Sequence, residues 1–253
     1  KSGQFMLETA INILELELKL RRKLENENKA HIKTLTIGMG PARSRFLLTE
    51  IFSYYRKYNA DINLRVVIDS AKILDQMLDS GEIDVWLGYY QEHIEKYNYT
   101  ILFEDKTCII IPKKMMAELF KEKDKEMVEK LSRKFEISCF AECPFMMIPE
   151  GHHFREIVDM YFKDNKMTPN YVLETNDLDT LIMLAMEGDA ITFASSTYAM
   201  KYIKSYIFNE NAYVFFLDDN KTTQNIAIYY KKDKPVSSEI KHFIELCMQF
   251  YNR

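Results

Sequence analysis

Two features of this chain have the residue types and spacing for chemistry. Ser44 and Ser70 each stand at the head of an apolar-periodic run that follows a predicted strand, where a serine serves as a helix N-cap. Helices entered this way aim free backbone N–H groups, and the positive ends of their macrodipoles, at one edge of a parallel sheet, which suits that edge to receive an anion or another polar ligand. Arg43, just ahead of the first helix, has the fork geometry for a bidentate contact to an oxoanion; the alternative is a loop cation facing solvent. The second feature is the adjacent pair His152 and His153. Imidazoles bind metals and change charge between about pH 5 and 8. Neighbours in extended backbone point to opposite sides, so a shared metal is not expected, and the simpler reading is one exposed and one packed histidine.

The remaining reactive residues form no site. Cys139 and Cys143 have a C-x3-C spacing without the histidine or cysteine partners of a zinc site, and with Cys108 and Cys247 they read as buried or half-buried thiols. His31, His93 and His242 are scattered, and Trp86 reads as core, as do most of the 16 Tyr and 16 Phe. No Gly-x-Ser-x-Gly elbow, P-loop, G-x-G-x-x-G after a strand or His-Glu-x-x-His occurs, so no enzyme activity, metal or cofactor is expected.

Composition sets bounds on function. A net charge of −4 argues against a nucleic-acid-binding body, and no run approaches the roughly 20 apolar residues of a membrane span. The first 29 residues mix charges with apolar residues, unlike an export signal, so a cytoplasmic location is expected. At 253 residues, a single core tends to divide in two.

The elements that must position Arg43 and the serines follow from periodicity. Phe5 to Leu24 repeats its apolar residues every 3.5 to 3.6 positions, which predicts a long amphipathic helix pairing with a second chain or, alternatively, folded back on its own domain. Thr34–Gly38 predicts a strand, Met39 to Arg43 a loop, and Ser44 the start of a helix burying Leu47, Leu48, Ile51, Phe52 and Tyr55. Ile62–Ile68 predicts a second strand. Ser70 leads a helix with Ile73, Leu74, Met77 and Leu78 inside and Gly81 at its C-cap, and Ile83–Tyr89 a third strand. Tyr99–Phe103 and Thr107–Ile111 read as two strands separated by Glu104-Asp105-Lys106, and 113–135 as one or two charged surface helices. The grammar then repeats: strand Phe145–Ile148, helix Phe154–Phe162, strand Tyr171–Glu174, helix Asp177–Glu187 with Asn176 and Asp179 approximating a capping box and Gly188 closing it, and strand Ala190–Ala194. Strands at Tyr213–Leu217 and Asn225–Tyr230 and a helix from Ile240 to Tyr251 end the chain. Two α/β lobes crossed twice by the chain, near Ile111 and near Leu217, enclose a hinged cleft of the kind that binds small molecules.

The series LTIG, LLTEIFSYYRKYNADINLRV, SGEIDVWLGY, LFEDKTCIIIP, CPFMMIPEG and MEGDAITFASS resembles the effector-binding region of LysR-type transcriptional regulators, from about Thr34 to the end. The stretch Ser2 to Ala10 is similar to the entry of that family's dimerising linker helix, which follows a winged helix-turn-helix absent from this chain. Thr49 stands where proline is usual after the two leucines, Asp189-Ala190 replaces a common Gly-Ile, Ser195-Ser196 replaces a frequent Leu-Pro, and residues 113–135 are longer than typical.

The resemblance implies two Rossmann-like lobes of the type 2 periplasmic-binding-protein kind, with a linker over residues 1–30, one lobe from 31–111 and 218–253, and the other from 112–217. It implies a small-molecule effector between the lobes, a small anion or organic acid, in a homodimer or homotetramer that contacts DNA only through the helix-turn-helix and no membrane. Effector binding would alter the arrangement of the subunits and so DNA binding or transcription by the intact protein. Carried over by position, the cleft is lined by Pro41, Ala42, Arg43 and Ser44, by Ser70 and Ala71, and from the opposing lobe by Glu150, Gly151, His152 and His153 with Asn176 and Phe193 behind. A solute-binding protein of a transport system is the alternative with the same fold.

Overall fold

Gly40-Pro41, a dipeptide that reads as a loop, instead opens the first helix. The computed structural model describes Met6 and residues 33–59, 62–91, 95–203, 210–217, 219–233 and 235–251; the helix expected over Phe5–Leu24 lies, Met6 apart, outside the described residues. Helix α1 spans Pro41–Tyr58 with Gly40 as its N-cap, four residues before Ser44. Proline is suited to the first helical position, where its missing N–H has no partner to lose. Ser44 is buried inside the first turn, its N–H bonded to the Gly40 carbonyl at 2.9 Å and its hydroxyl to the Pro41 carbonyl at 2.8 Å.

Three parallel strands carry the first half: β1 (Lys33–Met39), β2 (Ile62–Ile68) and β3 (Val85–Tyr89), with β1 between the other two. Helix α2 (Ala71–Ser80) joins β2 to β3 and ends on Gly81 at φ 79°, the left-handed cap its position predicts. This helix packs so closely on β1 that a Cβ at Gly38 would lie 2.5 Å from Ile83 Cδ1 and 2.9 Å from Leu74 Cδ2. Only glycine admits that approach.

Strand β4 is a single 16-residue element, Tyr97–Pro112, where two strands were expected. Glu104, Asp105 and Lys106 do not break it, because they stay paired with Asn225, Gln224 and Thr223 of β9 (Thr223–Lys231). At roughly 3.3 Å per residue it is about 50 Å long, enough to run through both lobes. Up to Lys106 its partner is β9, which also pairs with β3. From Thr107 onward its partners are β7 (Thr192–Ser195) and β8 (Ala212–Phe216). The sheet order is β2-β1-β3-β9-β4-β7, with β8 also on β4.

The second lobe adds helices α3 (Lys113–Phe120) and α4 (Asp124–Arg133), the parallel pair β5 (Pro144–Met147) and β6 (Asn170–Glu174), and α5 (His153–Asp164) and α6 (Leu178–Glu187). Gly188 closes α6 at φ 101°, and the N-cap is Asp177 rather than Asn176. Helix α7 (Ser196–Ile203) has no counterpart in the sequence reading. Its start looks like a loop because Ser195-Ser196-Thr197 favours turns, yet the cap comes from β4. The buried Asp105 carboxylate accepts from Ser196 Oγ at 2.9 Å and from Thr197 N–H at 3.0 Å and Oγ1 at 2.7 Å. Helix α8 (Ser238–Tyr251) returns to the first lobe, where Phe243 and Cys247 pack with Ile37, Ile51 and Tyr55. Trp86 is buried against Leu74, Leu78 and Tyr229, and Cys108, Cys143 and Cys247 are buried with Cys139 half-buried, as expected.

Candidate functional site

The candidate site lies where the C-terminal end of β3 and the first turn of α1 meet the N-termini of α5 and α6. Arg43 lies in the first turn of α1, half-buried, with its guanidinium carbon 4.8 Å from the centre of the Tyr89 ring. Tyr89 ends β3, and its ring also meets the imidazole of His153 from the second lobe, with centroids 4.9 Å apart and planes inclined at 56°. His153 is the first residue of α5, with Nδ1 3.4 Å from the Glu156 carboxylate. His152, the N-cap, has Nε2 2.8 Å from Asn176 Oδ1, which ties the loop before α5 to the loop before α6. The two histidines thus have separate partners, and no group of three His, Cys, Asp or Glu fit for a metal is found among the described residues.

A second contact crosses beside the first. Arg45 Nη1 donates to Asp177 Oδ1 at 3.0 Å and to the Asp179 carboxylate, which also accepts from the Tyr202 hydroxyl. The Asp177 hydrogen bond holds the Arg45 proton more firmly than usual, and bonds from Thr180 and Arg45 hold the Asp177 carboxyl below its ordinary range. Arg155, on α5, is buried: Nε donates to both oxygens of Asp159 at 2.9 Å, and Nη1 donates to the Ile148 carbonyl at 2.8 Å and to Glu174. It pins the ends of β5 and β6, from which the His152 and Asn176 loops depart. Arg43, in contrast, has no carboxylate partner among the described residues.

Tyr89 is itself firmly held. Its carbonyl accepts from the buried Tyr229 hydroxyl at 3.0 Å, and that oxygen accepts from Gln91 N–H at 2.8 Å. Burial pushes the Tyr89 phenol up to about 12 despite the pull of Arg43, so it keeps its proton at neutral pH.

The other expected site residues fall in different places. Pro41 is exposed at the first position of α1, and Ala42 follows it in the same turn. Ser44 is buried with its hydroxyl bonded inside the helix, so it is unavailable to a ligand. Ser70 and Ala71 are exposed at the head of α2, but the Ser70 N–H already donates to Asp69 Oδ1 at 2.7 Å. Glu150 and Gly151 form the exposed turn before α5, with Gly151 at φ 87°. Phe193 does not face the cleft; it is fully buried, 5.5 Å from the Phe162 ring and 6.2 Å from Phe145. Strand alternation turns it into the core of the second lobe. Tyr89, Arg45 and the Asp177/Asp179 pair were missed. Tyr89 had one signal, its place at the C-terminal end of a parallel strand, where ligands of open α/β sheets gather. A separate groove of about 740 Å³, lined by Phe52 and Arg56 of α1 and by Ile62 to Arg65 of β2, lies on the outer edge of the first lobe.

Two α/β lobes joined by paired crossing strands, with helix N-termini and a guanidinium at their junction, define an effector-binding domain of the periplasmic-binding type. A family profile described as "LysR substrate binding domain" matches residues 29–251, and the chain belongs to that family. Among curated relatives, the uncharacterized HTH-type transcriptional regulator YcgK of Bacillus subtilis (strain 168) is 20% identical over 250 residues, 96% of this chain and 75% of the relative. The reduced regulatory domain of OxyR2 from Vibrio vulnificus superposes with a TM-score of 0.68 at 17% identity, covering 87% of this chain and 96% of that one. The BenM effector-binding domain with its effector benzoate gives 0.68 at 17% identity, covering 87% and 92%. The family's domains are those of regulators rather than enzymes, and among the described residues no helix is long and apolar enough to cross a membrane.

Proposed function

We propose that this chain is the effector-sensing and oligomerising portion of a LysR-type regulator, in which a small anion or organic acid bound between the lobes alters the arrangement of the subunits and so DNA binding by the intact, cytoplasmic protein. One observation carries the ligand class. Of the three arginines around the junction, Arg45 and Arg155 are each paired with two carboxylates, whereas among the described residues Arg43 has Tyr89, through its ring and its phenol, and no carboxylate. A guanidinium without a carboxylate partner keeps N–H donors for a planar oxoanion. Pro41, Ala42, Arg43, Ser70, Ala71, Glu150, Gly151, His152, His153 and Asn176 are the proposed lining, and the benzoate of BenM is a carboxylate of the class inferred.

The proposed units are residues 31–111 with 218–253 and residues 112–217, preceded by a linker over 1–30. The partner exchange on β4 between Lys106 and Thr107 supports a crossing within that strand. Edge strand β2 and its neighbour α1 expose Ile68, Phe52 and Tyr58, and edge strand β6 with α6 exposes Val172, Leu173 and Met183. Open edges with apolar side chains favour association, which supports a homo-oligomer. The family match favours this reading over a transport protein. The test is calorimetry of wild type and Arg43→Ala with sodium acetate, benzoate, sulfate and phosphate. Binding of one of these by wild type that falls about tenfold or more in the variant is expected; a wild type that binds none, or a variant that binds as well, overturns the anionic class.

A further inference from the structure

We propose that Tyr89 is a positioning residue: its ring face presents the Arg43 guanidinium to the anion, and its contact with His153 ties that presentation to closure of the two lobes. The proposal rests on the reading of Arg43 as the anion-binding group. One ring touches both lobes. The Arg43 guanidinium carbon is 4.8 Å from its centroid, and the His153 imidazole centroid is 4.9 Å away. A guanidinium this close to a ring centre can rest on the ring and still keep N–H donors for an anion. A flexible arginine in the first turn of a helix has many rotamers, and ordering it is an entropic loss that an anion would otherwise bear on binding.

The ring can hold the guanidinium only because its own backbone is fixed. The Tyr229 hydroxyl brackets the Tyr89 carbonyl and the Gln91 N–H, and Tyr90 N–H donates to the Asn225 carbonyl at 2.7 Å. Tyr229 and Asn225 both belong to β9, the strand that pairs with β4 up to the point where β4 passes into the second lobe. The ring is thus anchored to the crossing strands and not to a free loop. If the lobes part, His153 leaves Tyr89 and the ring loses its contact with the second lobe.

The ring face, not the hydroxyl, performs this task, and that distinction makes the proposal testable. Affinities of the intact chain for sodium benzoate, acetate, sulfate and phosphate are measured by calorimetry for wild type, Arg43→Ala, Tyr89→Phe, Tyr89→Leu and His153→Ala. Tyr89→Phe is expected to bind within twofold of wild type, Tyr89→Leu to weaken by about three- to tenfold, and His153→Ala to weaken by about two- to fivefold. Tyr89→Met serves as the second ring-free variant if Tyr89→Leu does not fold. Wild-type affinity in the ring-free variant, with Arg43→Ala impaired, overturns the proposal and leaves the anion reading standing. Equal losses in Tyr89→Phe and Tyr89→Leu overturn it in favour of the hydroxyl, and wild-type affinity in His153→Ala overturns the coupling to closure. No binding by wild type, or full binding by Arg43→Ala, overturns the anion reading and this proposal with it.

Discussion

Arg45 of the first lobe and Asp177 of the second lie 3.0 Å apart, and this ion pair bridges the lobes within two residues of both Arg43 and Asn176. Each side chain is about half exposed, at 48% and 45%. Pairs of this kind contribute little to global stability, because water and salt screen them. The pair here joins the start of α1 to the N-cap of α6, so its effect is to be sought in the geometry between them.

The first prediction concerns that geometry. Arg45→Met is expected to leave the thermal midpoint nearly unchanged while raising the radius of gyration in small-angle scattering. The same opening is expected in wild type as pH falls. Thr180 and Arg45 hold the folded-state Asp177 carboxyl below its usual value, so its contribution is present above the ordinary carboxylate range, near pH 4, and is lost as pH falls through the depressed value. A radius independent of both the substitution and acid would remove Arg45 from the control of closure.

Phe193 separates a core role from a ligand role. It packs against Phe145 and Phe162 with no exposed surface. Phe193→Ala is expected to lower unfolding stability by about 3–5 kcal/mol in urea titration. A stable variant with altered anion affinity would return this ring to the cleft.

Much of this architecture was legible because it depends on period and punctuation. Leu74 and Leu78 at helical spacing, with Gly81 after them, specify α2 and its end, and both are observed. Elsewhere, partners distant in sequence decide the structure. The polar triplet Glu104-Asp105-Lys106 looks like a turn, but pairing with β9 keeps it extended, and Asp105 caps a helix 91 residues away. The candidate site is legible by halves: Arg43 and the two histidines stand out by type and position, whereas the Tyr89 ring beside them is visible only once β3 and α5 are brought together.

Gly38 gives a prediction about close packing. A Cβ there would lie within 2.9 Å of both Ile83 Cδ1 and Leu74 Cδ2, so these side chains must move. Gly38→Ala is expected to destabilise the first lobe by about 1–3 kcal/mol, read as a lower urea midpoint. An unchanged midpoint would mean that Leu74 and Ile83 repack freely.

The last prediction tests the clip behind the second-lobe loops. Arg155 has a side chain only 6% exposed, and it joins Ile148 at the end of β5, Asp159 of α5 and Glu174 at the end of β6. Burial alone would weaken its hold on the proton, but Glu174 and Asp159 outweigh that and hold it charged. Removing one partner of a buried pair leaves the others uncompensated, an effect of about 3–5 kcal/mol. Asp159 and Glu174 are 42% and 44% exposed and regain water, so Arg155→Met is expected to reduce stability by about 2–3 kcal/mol. The diagnostic readout is local. Thr175 N–H, bonded to the Met147 carbonyl at 3.1 Å, should exchange with solvent faster in the variant, as should the amides of residues 149–152, while the strands of the first lobe keep their protection. Uniform loss of protection through both lobes would show that Arg155 supports the whole fold rather than the two loops that carry His152 and Asn176.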